Sequence, residues 1–250
     1  MDVERAIEYA VRMIRERYAE PISLDQLADA AMVSKFHFLR TFRRITGVTP
    51  GRFLSAVRLE EAKRLLLTTS LNVSDISAQV GYSSTGSFTR RFTESVGCPP
   101  TQYRYTARLS AGTESAPVAV AVGAGGRQAV CGAVSGVVRV PDAPVSGIYL
   151  GAFDNPIIER CPATRAVITE PGPFRMDGIP QGLWYIHAVA YAEGGQDASG
   201  RPPLLVDTFG PLAVGPGTQT QLSLTLRPLG WSNPPVLLAL PNLSRPVVAA

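Results

Sequence analysis

The sequence has almost no histidine, two residues in 250, and no motif that would put one to chemical use. There is no Gly-x-Ser-x-Gly elbow, no phosphate-cradling loop and no His-Glu-x-x-His helix, so the common routes to hydrolysis and phosphoryl transfer are missing. Cysteine is also scarce. Cys98, Cys131 and Cys161 are odd in number and widely spaced, which excludes a disulfide framework and a close-paired zinc site and predicts reduced thiols. No run approaches eighteen apolar residues, and Met1-Asp2-Val3-Glu4-Arg5 opens without an apolar stretch; neither signal peptide nor membrane span is expected, and a cytoplasmic location is. His187 falls mid-strand and reads as packed or surface. Asp142, Asp154 and Asp177 stand beside Pro, Asn or Gly, where Asp serves turns, and Asp207, between Val206 and Thr208, is given the same turn reading. Trp184, Tyr185 and Tyr191 could line a ligand site, with strand packing the plainer reading. No catalytic residue, metal ligand or cofactor is assigned, and the chain reads as a non-enzyme.

Nor is there a strong net charge, only +4 overall, but that average conceals a division. Residues 1–109 hold 16 basic and 11 acidic side chains, net +5, whereas residues 110–250 hold 8 and 9, net −1. Glycine and proline divide at the same place, with 4 prolines and 5 glycines before residue 110 against 17 and 18 after it. The first part can sustain long helices and meet a polyanion; the second can form only short strands and turns.

In the first part, Val3, Ile7, Ala10, Val11, Ile14 and Tyr18 recur at helical spacing and predict a helix over residues 3–19, stopped by Pro21. Ser23 with Gln26 three residues on forms a capping box ahead of Leu24, Leu27 and Ala31. After the Ala31-Met32-Val33 turn, Ser34 caps a second helix whose inward positions are Phe38, Phe42 and Ile45. Two short helices across such a turn make a helix-turn-helix. Displaced by fifty residues, the sequence matches Ser34 with Ser84, Phe38 with Phe88, Arg40 with Arg90, Phe42 with Phe92, Gly47 with Gly97 and Pro50 with Pro100, six identities in seventeen positions. The preceding helix matches at forty-nine, pairing Leu24 with Val73, Leu27 with Ile76 and Ala31 with Val80, so the second turn is one residue longer. The unit therefore occurs twice. Between the copies, Gly51 to Thr68 carries Leu54, Val57, Ala62, Leu65 and Leu66 without a proline and predicts a connecting helix of roughly 27 Å. That length can hold two recognition helices near the ~34 Å repeat of one major groove.

The run Ser34-Lys35-Phe36-His37-Phe38-Leu39-Arg40-Thr41-Phe42-Arg43-Arg44-Ile45-Thr46-Gly47, with Pro50, Arg58-Leu59, Ala62, Leu65-Leu66, Val80-Gly81-Tyr82-Ser83, Phe88, Arg90, Phe92, Gly97, Pro100 and Tyr103-Arg104, resembles the double helix-turn-helix domain of AraC/XylS transcriptional regulators. The resemblance covers about residues 3–108. It implies seven helices, docking of two recognition helices in successive major grooves, and control of transcription initiation, with double-stranded DNA and RNA polymerase as partners.

With Phe38 and Phe42 inward, Lys35, Phe36, Leu39, Arg40 and Arg43 are left to face outward. Early positions enter a groove and later ones meet the backbone, which places Phe36, Leu39 and Arg40 at base edges and Arg43 and Arg44 near phosphate. Phe36 could instead pack on the neighbouring helix, and His37 reads as a phosphate contact or a solvated group. On the second helix Phe88 and Phe92 face inward, leaving Thr85, Gly86, Ser87, Thr89 and Arg90. Each of Arg40 and Arg90 can take O6 and N7 of one guanine, worth roughly 1 to 3 kcal/mol of discrimination. The family resemblance agrees for Phe36 and Arg40; Leu39 and Gly86 depart from the polar residues often found at their positions. Base reading is then sparser and shape readout weighs more.

Beyond the first part, residues 109–130 read as a flexible linker with one weak strand at Val118 to Val122. Alternation over Val134 to Val140, Gly147 to Phe153, Arg165 to Thr169, Pro173 to Met176, Leu183 to Tyr191, Leu204 to Val206 and Gln219 to Leu226 predicts about seven strands and an antiparallel β-sandwich. The segment Gly172-Pro173-Phe174, then Gly178-Ile179-Pro180-Gln181-Gly182 and Leu183-Trp184-Tyr185-Ile186, resembles carboxypeptidase-regulatory-like, transthyretin-like sandwiches, with Ser135-Gly136-Val137-Val138 and Val145-Ser146-Gly147-Ile148 as opening strands. That family implies a scaffold without a fixed activity. The expected organisation is multidomain, α followed by all-β: a double helix-turn-helix DNA-binding domain at 1–108, the linker, a sandwich accessory domain at 131–230 and a C-terminal tail at 231–250. The expected function is sequence-specific DNA binding in transcription regulation, the β domain serving a small-molecule effector, homodimer formation or partner contact. An interaction adaptor built on the sandwich is the alternative.

Overall fold

Sequence period decides element type throughout the helical region. A computed structural model of the chain describes residues 3–110, 131–141, 144–194 and 203–239. The chain divides into two compact units: the first takes the N-terminal helices together with Ile157–Arg160 and Gly230–Ala239, and the second takes the strands.

Seven helices make up most of the first unit: α1 (Val3–Glu16), α2 (Leu24–Ala30), α3 (Lys35–Thr46), α4 (Pro50–Thr68), α5 (Val73–Gln79), α6 (Thr85–Val96) and α7 (Pro100–Ser110). The expected capping box forms in both directions, Ser23 Oγ accepting from the Gln26 N–H at 3.2 Å and Gln26 Oε1 accepting from the Ser23 N–H at 2.8 Å. Ser34, Thr49, Asn72 and Ser84 cap α3, α4, α5 and α6 with a single bond each, the side chain accepting from the backbone N–H three residues on, with Pro50 in the first turn of α4. Gly47 and Gly97 end α3 and α6 in the left-handed region, at φ 78° and 94°. α4 buries Phe53, Val57, Leu59, Ala62, Leu65 and Leu66 around most of its circumference, which makes it the central rod of one continuous core.

Three arginines are spent inside this unit. Arg58 donates to the carbonyls of Tyr18 and Glu20 at 2.7 and 2.9 Å, closing the segment after α1. Arg104 donates to the carbonyls of Leu66 and Leu71 at 3.1 and 2.6 Å, serving the end of α4. Arg15 lies 5.3 Å from the Phe53 ring centroid, and burial pulls its guanidinium below the usual arginine range.

The second unit contains β1 (Cys131–Arg139), β2 (Val145–Phe153), β3 (Thr164–Ile168), β4 (Gly172–Pro180), β5 (Gly182–Ala192), β6 (Leu204–Val214), β7 (Gln219–Thr225) and β8 (Arg227–Pro228). All seven expected strands are present. They form a three-stranded sheet in the order β4-β1-β7 and a five-stranded sheet in the order β3-β2-β5-β6-β8. Val134, Phe174 and Leu224 from the first and Leu150, Ile186 and Ala188 from the second share one apolar cluster.

The expectation of antiparallel strands fails at one pair, because β1 and β7 run parallel. Alternation fixes which face of a strand is buried but not the direction of its neighbour; β7 arrives from β6 in the other sheet, and such a crossover permits parallel entry. β6 is also longer than Leu204 to Val206. Pro211 removes a ladder donor, and the register shifts there, with Trp184 opposite Leu212 and Ile186 opposite Phe209, so the strand continues across a bulge. His187 is buried, its Nε2–H donating to the Asn155 carbonyl at 3.1 Å and its Nδ1 accepting from the Thr208 hydroxyl at 2.8 Å. Desolvation lowers its pKa to about 4, so it packs as a neutral ring.

The expected linker lies outside the described residues beyond Ser110, and with it the strand at 118–122. The expected tail differs from what is found. Residues 230–239 belong to the helical unit, where Leu237 is fully buried, because an apolar run can bury its surface there instead of leaving it in water.

Candidate nucleic-acid interface

Each helix-turn-helix is organised around a pair of phenylalanines one turn apart. Phe38 and Phe42 on α3 have ring centroids 5.6 Å apart, and Phe88 and Phe92 on α6 are separated by the same 5.6 Å. All four are fully buried. Each pair meets an aromatic side chain edge-on from the following helix, Phe53 for Phe42 and Tyr103 for Phe92, both at 5.8 Å. With these rings inward, the helical period turns residues two places further along the chain to the opposite face.

That opposite face carries Arg40 and Arg90, which occupy the same place in the two copies and are both exposed. Among the described residues neither makes a side-chain hydrogen bond or ion pair, and the same holds for Arg43 and Arg44 in the second half of α3. Phe36 is 87% exposed, so it does not pack against the neighbouring helix. Leu39 and His37 are half-buried, and Lys35 is paired with Asp25 on α2. The Lys35 ammonium is thus already partly neutralised before any ligand arrives.

On α6, Thr85, Gly86, Thr89 and Arg90 line a single open depression of about 540 Å³, together with Thr93 and Glu94. A side chain at Gly86 would meet nothing within 4 Å, so the backbone there is open to close approach. Ser87, also expected at this face, is exposed but turned to the helix start, where its hydroxyl accepts from Ser84 Oγ at 2.9 Å. Thr85 reaches back to α5, its hydroxyl donating to Ser74 Oγ at 3.2 Å. Thr93 and Glu94 lie outside the positions expected from the sequence, although they follow Thr89 and Arg90 by one helical turn, the spacing that extends a face.

Among the described residues no three His, Cys, Asp or Glu side chains converge as metal ligands would. No helix among them is long and apolar enough to cross a membrane. The outer faces of α3 and α6 thus present exposed guanidinium groups that no side chain among the described residues engages.

Residues 27–106 match the helix-turn-helix domain family. The chain is 31% identical over 103 residues to the lactose operon transcription activator of Staphylococcus xylosus, a match covering 41% of this chain and 37% of that protein. It is 37% identical over 83 residues to the HTH-type transcriptional activator AarP of Providencia stuartii, covering 33% of this chain and 62% of the relative. The chain thus spans less than two thirds of the length of either relative. Among solved structures, the DNA-binding domain of the global transcriptional factor AdpA, in complex with a target DNA, is 27% identical, with 43% of this chain and 93% of that chain covered and a TM-score of 0.38.

Proposed function

We propose that this chain, whose residues 27–106 form a helix-turn-helix domain, is a sequence-specific DNA-binding transcriptional regulator of AraC type that places α3 and α6 in successive major-groove segments of one duplex. The observation that carries the reading is the repetition of one exposed, unengaged arginine, Arg40 and Arg90, on the outer face of two helices whose inner faces have the same aromatic geometry. α4 spans about 28 Å at 1.5 Å per residue, a length suited to two sites about one turn of DNA apart.

In this reading Phe36, Leu39 and Arg40 address base edges in one segment, with Arg43 and Arg44 at phosphate and Lys35 released from Asp25 to join them. Thr85, Gly86, Ser87, Thr89 and Arg90 address the second segment, where the open backbone at Gly86 lets α6 approach closely. RNA polymerase is the downstream partner that regulation of initiation requires. The strand unit takes the transthyretin-like sandwich role of an accessory domain for a small-molecule effector, self-association or a partner, with no enzymatic activity of its own. Its two sheets with one shared core support the sandwich assignment.

The test is selection of bound fragments from random duplex DNA by the full chain, followed by binding measurements across salt. The expected result is two short conserved boxes about one helical turn apart and a steep loss of affinity with salt as phosphate counterions are released. Recovery of no common sequence, with affinity indifferent to salt, would overturn the reading.

A further inference from the structure

Two excursions of chain complete the helical unit, Ile157–Arg160 and Gly230–Ala239, and both converge on the end of α6. A helix leaves its last carbonyls without partners in its own ladder. Here the Arg160 N–H donates to the Ser95 carbonyl at 2.8 Å and the Ala239 N–H to the Val96 carbonyl at 3.2 Å. The excursions are also fastened to each other, the N–H groups of Leu237 and Leu238 both donating to the Ile158 carbonyl at 2.9 and 3.0 Å. Ile157 and Leu237 enter the helical core.

At the centre of this arrangement is Glu159, a carboxylate only 1% exposed. Its Oε1 accepts from Arg52 Nη2 at 2.9 Å, and its Oε2 accepts from the Ser95 hydroxyl at 2.9 Å and lies 3.6 Å from Arg91 Nη2. Arg52 is in the first turn of α4, whereas Arg91 and Ser95 are on α6. Arg91 also reaches Ser55 of α4, Nε to Oγ, at 3.5 Å. A buried carboxylate is tolerated only when it is paired and hydrogen-bonded, and these partners supply that from two different helices. The result is a cross-link between the central rod and the second recognition helix, made by a residue encoded far from both.

We propose that Glu159, encoded far from both helices, is a positioning residue that sets the angle of the second recognition helix to α4. The proposal rests on the DNA-binding reading above. If α6 is one of two probes on a stiff rod, its angle to α4 sets the separation at which both probes seat on one duplex.

The experiment uses the full chain and the duplex it selects, with single base pairs inserted or removed between the two boxes. For the natural protein each change of spacing should weaken binding on the order of tenfold, comparable to a mismatched base pair. Glu159→Ala should keep the same base preferences within each box while the spacing penalty shrinks to about threefold or less. Glu159→Asp should restore part of it, and Ser95→Ala, a milder change, should move it in the same direction. An unchanged spacing penalty, whether affinity falls uniformly or not at all, would overturn the proposal. Hydrogen exchange on the free protein provides an arm that needs no DNA. Glu159→Ala should speed exchange in α6 and leave α3 unaffected; equal acceleration in both helices, or none, counts against positioning. If the natural protein selects no duplex, the functional reading fails while the exchange arm still decides the role of Glu159 in holding α6.

Discussion

Phe38 and Phe42 in the first helix-turn-helix and Phe88 and Phe92 in the second are spaced alike, yet the helices that carry them finish differently. α3 closes with its own residues: the Gly47 N–H donates to the Arg43 carbonyl, and the Thr46 hydroxyl donates to the Phe42 carbonyl at 2.9 Å. α6 has the equivalent glycine contact, Gly97 to Thr93, but its last carbonyls are served by Arg160 and Ala239 from distant parts of the chain. The turns differ too. Met32 takes the left-handed conformation in the first copy at φ 55° and is 73% exposed, whereas the corresponding Gly81, at φ 82°, lies so near the segment after α1 that an added Cβ would come 2.5 Å from the Ala19 carbonyl oxygen. The two copies share the aromatic pair and the outward arginine, while their surroundings differ. The last helix of the first copy closes with its own residues and is more basic at its end; that of the second is closed from outside.

That contrast can be broken most forcefully at Leu237. Leu237→Ala should cost about 2 to 5 kcal/mol of stability in the helical unit, as loss of a fully buried leucine does. Denaturant melts should register the cost and hydrogen exchange should place it in α6 and α7. Protection lost equally in α2 and α3 would show that the two copies share one support.

Next in size is the turn. Gly81→Ala combines a left-handed alanine with a close backbone clash and should cost about 2 to 3 kcal/mol, whereas Met32→Gly should change stability by less than about 1 kcal/mol. Thermal melts of the two variants side by side suffice, and similar costs would contradict the asymmetry.

Recognition should be the more even-handed property. Arg40→Ala and Arg90→Ala should each lose roughly 1 to 3 kcal/mol of discrimination at one position, the two positions about one turn of DNA apart, while Arg44→Ala should weaken all sequences alike and reduce the salt slope by about one. Binding to a panel of single-base variants at several salt concentrations distinguishes these outcomes. A uniform loss from both Arg40 and Arg90 would remove them from the base-reading role.

The smallest effect is expected at the first caps. Ser23→Ala removes half of a reciprocal capping box and should cost about 1 kcal/mol; Asn72→Ala, which removes a single cap bond at 2.8 Å, should cost the same or slightly less. Circular dichroism melts would detect a reversal of that order.

Much of this was legible in the sequence because the signals are local. Ser23 with Gln26, Ser34 and Ser84 mark helix starts, Gly47 and Gly97 mark ends, and the i, i+4 phenylalanines orient each helix. Seven strands were visible for the same reason, since alternation needs only neighbours. The excursions escaped because their partners lie far away in sequence. Glu159 in Pro156-Ile157-Ile158-Glu159-Arg160 looks like an acidic residue in a loop, and only the two isoleucines beside it hint at burial. Pro235-Val236-Leu237-Leu238-Ala239 is more apolar than a solvated tail, a local signal of burial. The basic excess of the first part is informative about sign but not about use, because Arg15, Arg58 and Arg104 are engaged within the helical unit while Arg40, Arg43, Arg44 and Arg90 remain available.

The residues that close the end of α6 also set an order in time. Protein synthesis runs from the N-terminus at about 5 to 20 residues per second, so the ribosome needs on the order of ten seconds to travel from Ser110 to Ala239. The unit whose helices emerge first therefore stays unfinished until Ala239 emerges, and a nascent chain halted between those points carries an α3 that is closed and an α6 that still lacks its fastening.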